Sequence, residues 1–122
     1  VHDLDRIFLV APSSTPERLA RTVEASRGFV YAASTMGVTG ARDAVSQAAP
    51  ELVRRVKEIS DIPVGVGLGV RSREQAAEIA HFADGVIVGS ALVSALADDG
   101  VAAVRTLTEE LAVGVREKVP AT

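Results

Sequence analysis

The sequence predicts an α/β fold: four strand–helix units in succession, about half of a closed parallel barrel. Three observations carry that prediction. Short apolar runs alternate with helical patterns along all 122 residues, which is the signature of a parallel sheet with right-handed crossovers. Two of the runs, Val64-Gly65-Val66-Gly67-Leu68-Gly69-Val70 and Gly85-Val86-Ile87-Val88-Gly89-Ser90-Ala91, meet glycine where a helix is about to begin. The chain also has about half of the roughly 250 residues that a whole eight-stranded barrel needs.

The elements follow in order. Arg6-Ile7-Phe8-Leu9-Val10 is a continuous apolar run, as expected of a strand buried on both faces. Ala11-Pro12-Ser13-Ser14 interrupts it, Thr15 caps a helix with Pro16 at its first position, and Gly28 closes that unit. Phe29-Val30-Tyr31-Ala32-Ala33 is the second strand. A long connection rich in small residues runs from Ser34 to Asp43, and loops of that length tend to carry function. Pro50 starts the next helix, whose Leu52, Val53, Val56 and Ile59 share one face. The third strand covers residues 64–67. Ser72 and Gln75 then form a capping box ahead of a helix that buries Ala76, Ala77, Ile79, Ala80 and Phe82. The fourth strand is Val86-Ile87-Val88, followed by a short helix from Gly89-Ser90 to about Ala97. Asp98-Asp99-Gly100 separates it from a last helix, from Val101 to about Lys118. Residues 1–122 read as one segment without a linker.

Composition narrows the function classes. Hydrophobic residues make up 48% and charged residues 24%, as in a globular chain, while aromatics at 3% leave Val, Ala, Leu and Ile to build the core. The formal net charge is -3. Without a basic face or stacking aromatics the chain is not expected to bind nucleic acid. No apolar run is long enough for a membrane, and no signal-peptide pattern is present. The absence of cysteine fits the cytoplasm. His2 and His81 are far apart and match no ligand spacing, so no metal site is expected.

An open doubly wound sheet would carry its glycine-rich turn after the first strand, where this chain has Ala11-Pro12-Ser13-Ser14. The glycine turns instead follow the third and fourth strands. In a barrel counted to its end these are strands seven and eight, where barrel phosphate sites lie. The expectation is therefore the C-terminal half of a TIM-type (β/α)8 barrel.

The same residues carry a family resemblance. Phe29 to Gly40, with its Gly37-Val38-Thr39-Gly40, resembles the mobile active-site loop of the tryptophan synthase α chain. Pro63 to Val70 resembles the strand after it with its Gly-x-Gly turn, and Val86 to Ser90 resembles the last barrel strand, which ends in Gly-Ser. The motifs stand in the family's order along the whole chain. The resemblance implies a lyase of tryptophan biosynthesis that cleaves indole-3-glycerol phosphate into indole and glyceraldehyde 3-phosphate. It also implies a β chain partner that takes the indole through a tunnel and joins it to serine. Pyridoxal phosphate belongs to that β chain, and the α chain needs no cofactor.

Residue by residue, the phosphate-binding set is Gly69, Gly89 and Ser90, with Gly40 closing from the loop: a phosphate needs several N–H donors at close approach, and a side chain would block it. On residue types alone these positions serve equally as tight βα turns with a helix-capping serine. The resemblance gives Thr39 the role of closing over substrate and supporting the catalytic aspartate; locally, its hydroxyl could instead bond its own loop backbone. Tyr31 and Leu68 are implied to line the indole pocket, Leu68 standing where the family often has phenylalanine, and a strand tyrosine also serves as plain core. Thr35 stands where many members have a loop-holding arginine. The turn at residues 11–15 matches a region that faces the β chain. Glu17, Arg18, Arg21, Glu24, Arg54, Arg55, Lys57 and Glu58 read as solvated helix faces.

The family's catalytic glutamate and aspartate have no counterpart here. Asp3, Asp5, Asp61 and Asp84 are expected at the end of the barrel away from the catalytic face. The segment by itself is expected to be inactive, its free edges are expected to drive self-association, and the missing initiator methionine favours a piece of a longer chain. Two further readings are a non-catalytic half-barrel that binds a phosphorylated small molecule and a structural assembly subunit.

Overall fold

Parallel pairing in chain order organises the molecule. In the computed structural model, which describes residues 4–33, 48–67 and 69–117, the strands are β1 (Leu9–Val10), β2 (Val30–Ala33), β3 (Val64–Gly67) and β4 (Gly85–Ile87). They form one four-stranded sheet in the order β1-β2-β3-β4, every pair parallel. The helices between and after them are α1 (Pro16–Ala25), α2 (Ala48–Ile59), α3 (Arg73–Phe82) and α4 (Ser90–Glu117).

The register sorts the strand side chains into two faces, because successive residues point to opposite sides. Leu9, Tyr31, Gly65 and Gly85 lie side by side, as do Val10, Ala32, Val66 and Val86 in the next row. Val10, Val30, Ala32, Val64 and Val66 are buried in one core with Leu19 and Val23 of α1, Leu52 and Val56 of α2, Ala76 and Ile79 of α3, and Leu111 of α4. All four helices therefore cover the same face. The other face holds Leu9, Tyr31, Gly65, Gly67 and Ile87, and there Leu9 is 62% exposed. The helices bury β1 on one side alone, with Val10 buried and Leu9 exposed, whereas its continuous apolar run predicts burial on both; β3 is buried at all four of its residues. The face they leave open corresponds to the interior of a barrel.

Local chemistry sets the helix starts. Thr15 Oγ1 accepts from Arg18 N at 3.2 Å, with Pro16 at the first helical position. Ser72 Oγ accepts from Gln75 N at 3.1 Å. Gln75 Oε1 accepts from Arg71 N, one residue earlier than the capping-box partner, at 2.8 Å. α1 stops at Ser26, whose hydroxyl donates to Thr22 O at 2.9 Å, and Gly28, at φ 91°, makes the turn into β2. α2 begins at Ala48, ahead of Pro50, which its first turn tolerates because the first N–H groups have no intrahelical acceptor. α4 is two helices meeting at Gly100, whose φ of 82° and ψ of -169° break the helical path. Asp98 and Asp99 are the last residues of the first helix and not a separating loop.

β1 is shorter than its apolar run. Residues 6 and 8 each make a bond to the neighbouring segment, Arg27 N to Arg6 O at 2.8 Å and Tyr31 N to Phe8 O at 3.1 Å. Only Leu9 and Val10 join the ladder as paired strand residues.

Two side chains of the expected solvated faces have other roles. Arg54 pairs with Glu51 and Glu58 on the exposed face of α2, where such pairs contribute little. Arg55 instead reaches the turn after β1, donating to Ser14 O at 2.6 Å and Pro12 O at 3.3 Å. Lys57 pairs with Asp84, whose carboxylate also accepts from Val64 N at 2.8 Å. On the far side, α3 and α4 cross closely. A Cβ on Gly114 would run into the backbone carbonyl of Arg73, and Arg73 bonds Glu117 at 2.6 Å.

Candidate functional site

The C-terminal ends of β3 and β4 bring the two glycine turns together. Gly67 and Ile87 are paired across the strands. Gly69 and Gly89 each stand two residues further on, so the two turns leave the sheet side by side. Gly69 has φ 69°, a left-handed conformation that glycine adopts without strain. Gly89 precedes α4, and its carbonyl accepts from Leu92 N at 2.9 Å and Val93 N at 3.1 Å. The N–H groups of Ser90 and Ala91 lie before those first helical bonds and point out of the helix start, where the helix dipole is positive. Among the described residues, a Cβ at Gly69 or Gly89 would meet nothing within 4 Å, and backbone N–H groups there can be approached closely.

Tyr31 lies on the concave face below these turns. Its hydroxyl oxygen is 3.2 Å from where a Gly67 Cβ would be, and Ile87 Cβ is 2.7 Å from the same point. Tyr31 and Ile87 thus lean over a strand whose concave-side positions, Gly65 and Gly67, have no side chains. Glycine within a strand marks such a close approach. Gly67 and Ile87 join Tyr31 as candidate wall residues that the sequence reading did not single out. The Val-Gly-Val-Gly alternation of β3 carried the signal, since a period of two places both glycines on one face. Leu68, Thr39 and Gly40, with Thr35 and the rest of the 34–43 connection, lie outside the described residues.

The acidic residues are elsewhere. Asp84 accepts from the first residue of β3, Asp5 sits against Gly28 in the turn before β2, and Asp61 is in the connection entering β3. All three lie at the N-terminal end of the sheet, as expected. Glu51 is held below the usual carboxylate range by its hydrogen bond from Arg54, and Glu117 by that from Arg73, with both guanidiniums shifted upward in turn. These pairs belong to the outer helices. A hollow of about 270 Å³ lined by Phe29, Pro63, Gly65, Gly85 and Ile87 also opens at the N-terminal end, away from the glycine turns. Among the described residues, no group of three or more His, Asp or Glu side chains converges where a metal could bind, and no helix is long and apolar enough to cross a membrane.

Four consecutive βα units with helices on one face and paired glycine turns after the last two strands define half of a parallel α/β barrel. The family model for the tryptophan synthase alpha chain matches residues 1–119, and the chain belongs to that family. Among curated relatives, the Mycobacterium avium tryptophan synthase alpha chain is 82% identical over 120 residues, covering 98% of this chain and 44% of its own length. A solved Mycobacterium tuberculosis tryptophan synthase superposes with a TM-score of 0.84 at 80% identity, over 94% of this chain and 43% of that one. An alpha-subunit structure from Pyrococcus furiosus gives a TM-score of 0.71 at 35% identity, over 88% and 43%. The chain thus spans less than half the length of the curated relatives it matches.

Proposed function

We propose that this chain supplies the phosphate grip and one wall of the indole pocket to an α-type tryptophan synthase barrel, a lyase that cleaves indole-3-glycerol phosphate into indole and glyceraldehyde 3-phosphate. The observation that carries this reading is the side-by-side exit of Gly69 and Gly89 from paired strands, with the α4 N-terminus behind one of them. A phosphate seated there would take N–H donors from Gly69, Gly89 and Ser90, and the helix dipole would favour its charge. The apolar indole would lie against Tyr31, Ile87 and Leu68, with Thr39 and Gly40 closing over it. The concave face continues from the glycine turns toward Tyr31, which suits a ligand with a charged end and a flat apolar end.

Asp5, Asp61 and Asp84 lie at the wrong end of the sheet for proton transfer at such a ligand, and the other described carboxylates are on the helices that cover its opposite face. The general acid and base would come from outside these residues, so the chain by itself binds without turning substrate over. The α-type barrel would work without a cofactor of its own, in the cytoplasm, and pass indole to a β chain that holds pyridoxal phosphate. Titration with inorganic phosphate, followed by amide NMR, tests the grip. The Gly69, Gly89 and Ser90 signals should move together and saturate. Saturable shifts confined to other residues, or none at millimolar phosphate, would refute it.

A further inference from the structure

A phosphate monoester carries a charge of about -1.5 to -2 near neutral pH. Gly69, Gly89 and Ser90 would meet it with neutral N–H groups and the partial charge of a helix start, on a chain whose net charge is -3. A full positive charge at the C-terminal end of the sheet would offset that repulsion. Among the described residues, the turns that follow β1, β3 and β4 hold one charged side chain, Arg71. It stands two residues beyond Gly69, within about 7 Å of it along the backbone. Its backbone is held from both sides. Val70 is buried in the core, and Ser72 caps α3. Gln75 Oε1 accepts from Arg71 N at 2.8 Å, the bond that departs from the capping-box pattern. The Arg71 side chain is exposed, and among the described residues it makes no ion pair. Other guanidiniums are committed elsewhere: Arg73 to Glu110 and Glu117, Arg54 to Glu51 and Glu58, Arg55 to the carbonyls of Pro12 and Ser14.

We propose that Arg71 is a further binding residue of this site, the cation that draws a phosphate monoester to the glycine turns and favours its dianionic form. The inference rests on the phosphate reading of Gly69, Gly89 and Ser90 and adds the charge which that reading leaves out. A seat made of N–H donors alone separates a dianion from a monoanion only weakly, whereas a full charge beside it acts in proportion to the ligand's charge. The guanidinium fork also matches the oxygens of a phosphate. Glu74, three residues on in the first turn of α3, does not pair with Arg71. The cation is thus not neutralised on its own element. Gln75 has a positioning part in this arrangement: its side chain fixes the Arg71 backbone, so less freedom remains to be lost when a ligand is bound.

Inorganic phosphate, titrated into the 122-residue chain at low ionic strength and followed by amide NMR, tests this with three variants. Arg71→Gln should weaken binding by about three- to fivefold, the range of an exposed charge pair. Added salt should narrow the gap between it and the parent chain. Arg71→Lys, which keeps the charge, should recover most of the affinity. Arg54→Gln removes the same charge from the exposed face of α2 and should bind as the parent does. Arg71 is exposed, so far-UV circular dichroism should be the same in all four chains. The parent should also bind more tightly as pH rises through the second ionisation of phosphate, and Arg71→Gln should flatten that rise. Equal affinity in Arg71→Gln and the parent, a loss in Arg54→Gln as large as in Arg71→Gln, or no recovery in Arg71→Lys would each overturn the proposal. If the parent signals of Gly69, Gly89 and Ser90 shift and saturate while Arg71→Gln binds equally well, this inference alone falls. If the parent signals do not move, the phosphate site falls and this inference with it.

Discussion

At the scale of single residues, the sharpest contrast is between glycines that make room and glycines that face open space. A Gly67 Cβ would lie 2.7 Å from Ile87 Cβ and 2.9 Å from the Ile87 carbonyl oxygen, and that backbone cannot yield without breaking β4 away. Gly67→Ala should therefore destabilise the chain by about 1–3 kcal/mol, as overpacking does, measured as a lower urea midpoint. Gly85→Ala, where nothing stands within 4 Å, should leave that midpoint nearly unchanged. Gly89 allows binding and folding to be separated. It precedes α4 with a φ outside the left-handed region. An aspartate there caps the helix favourably while setting a negative charge where the phosphate would sit. Gly89→Asp should keep or raise thermal stability and weaken phosphate binding at least tenfold, by about 1.4 kcal/mol or more. Unchanged binding in that variant would place the phosphate elsewhere. Gly69, Gly89 and Ser90 were legible as candidates from the order of motifs, and Tyr31 from the family resemblance. Ile87 was not, because an isoleucine in a strand reads as core until the register shows which glycines it leans over.

At the scale of elements, caps and turns were readable because they depend on neighbours in the chain. Thr15, Pro16, Ser72 and the break at Gly100 stand where their local chemistry places them. The roles of Arg55 and Lys57 were not readable, since their partners Ser14 and Asp84 are 41 and 27 residues away. The α3–α4 crossing gives a pH prediction. Arg73 holds the Glu117 carboxyl below its ordinary range through their hydrogen bond. A carboxylate with a depressed folded-state pKa stabilises the fold above its unfolded pKa and loses that contribution as pH falls through the folded value. The crossing should thus loosen below the ordinary carboxylate range, and Glu117→Gln should flatten the acid limb of the stability profile without moving its neutral plateau by much. Both groups are partly exposed, so added salt should reduce the difference. An acid limb identical in the variant and the parent chain would assign the acid sensitivity to other groups.

At the scale of the whole molecule, the helices cover one face of the sheet, and the site occupies one end of the other. Asp5, Asp61 and Asp84 are at the opposite end, and the other described carboxylates are on the helices. Indole release from indole-3-glycerol phosphate should accordingly be undetectable with the 122-residue chain. Restoration by adding the first half of an α chain would assign the missing acid and base to that half, whereas turnover by the chain by itself would place them here.

Alternating apolar runs, turn residues and caps specify β1 to β4 and the helices between them through contacts a few residues apart, and they were legible without coordinates. The order of the glycine turns marked the candidate phosphate end of a barrel for the same reason, since each turn follows its own strand. What needed the tertiary structure was everything that depends on register between strands. Pairing decides that Gly69 and Gly89 leave the sheet as neighbours, that Tyr31 and Ile87 meet over Gly67, and which face stays bare. A continuous apolar run does not say which of its sides will be covered. That depends on how many strands close the sheet, and this chain supplies four.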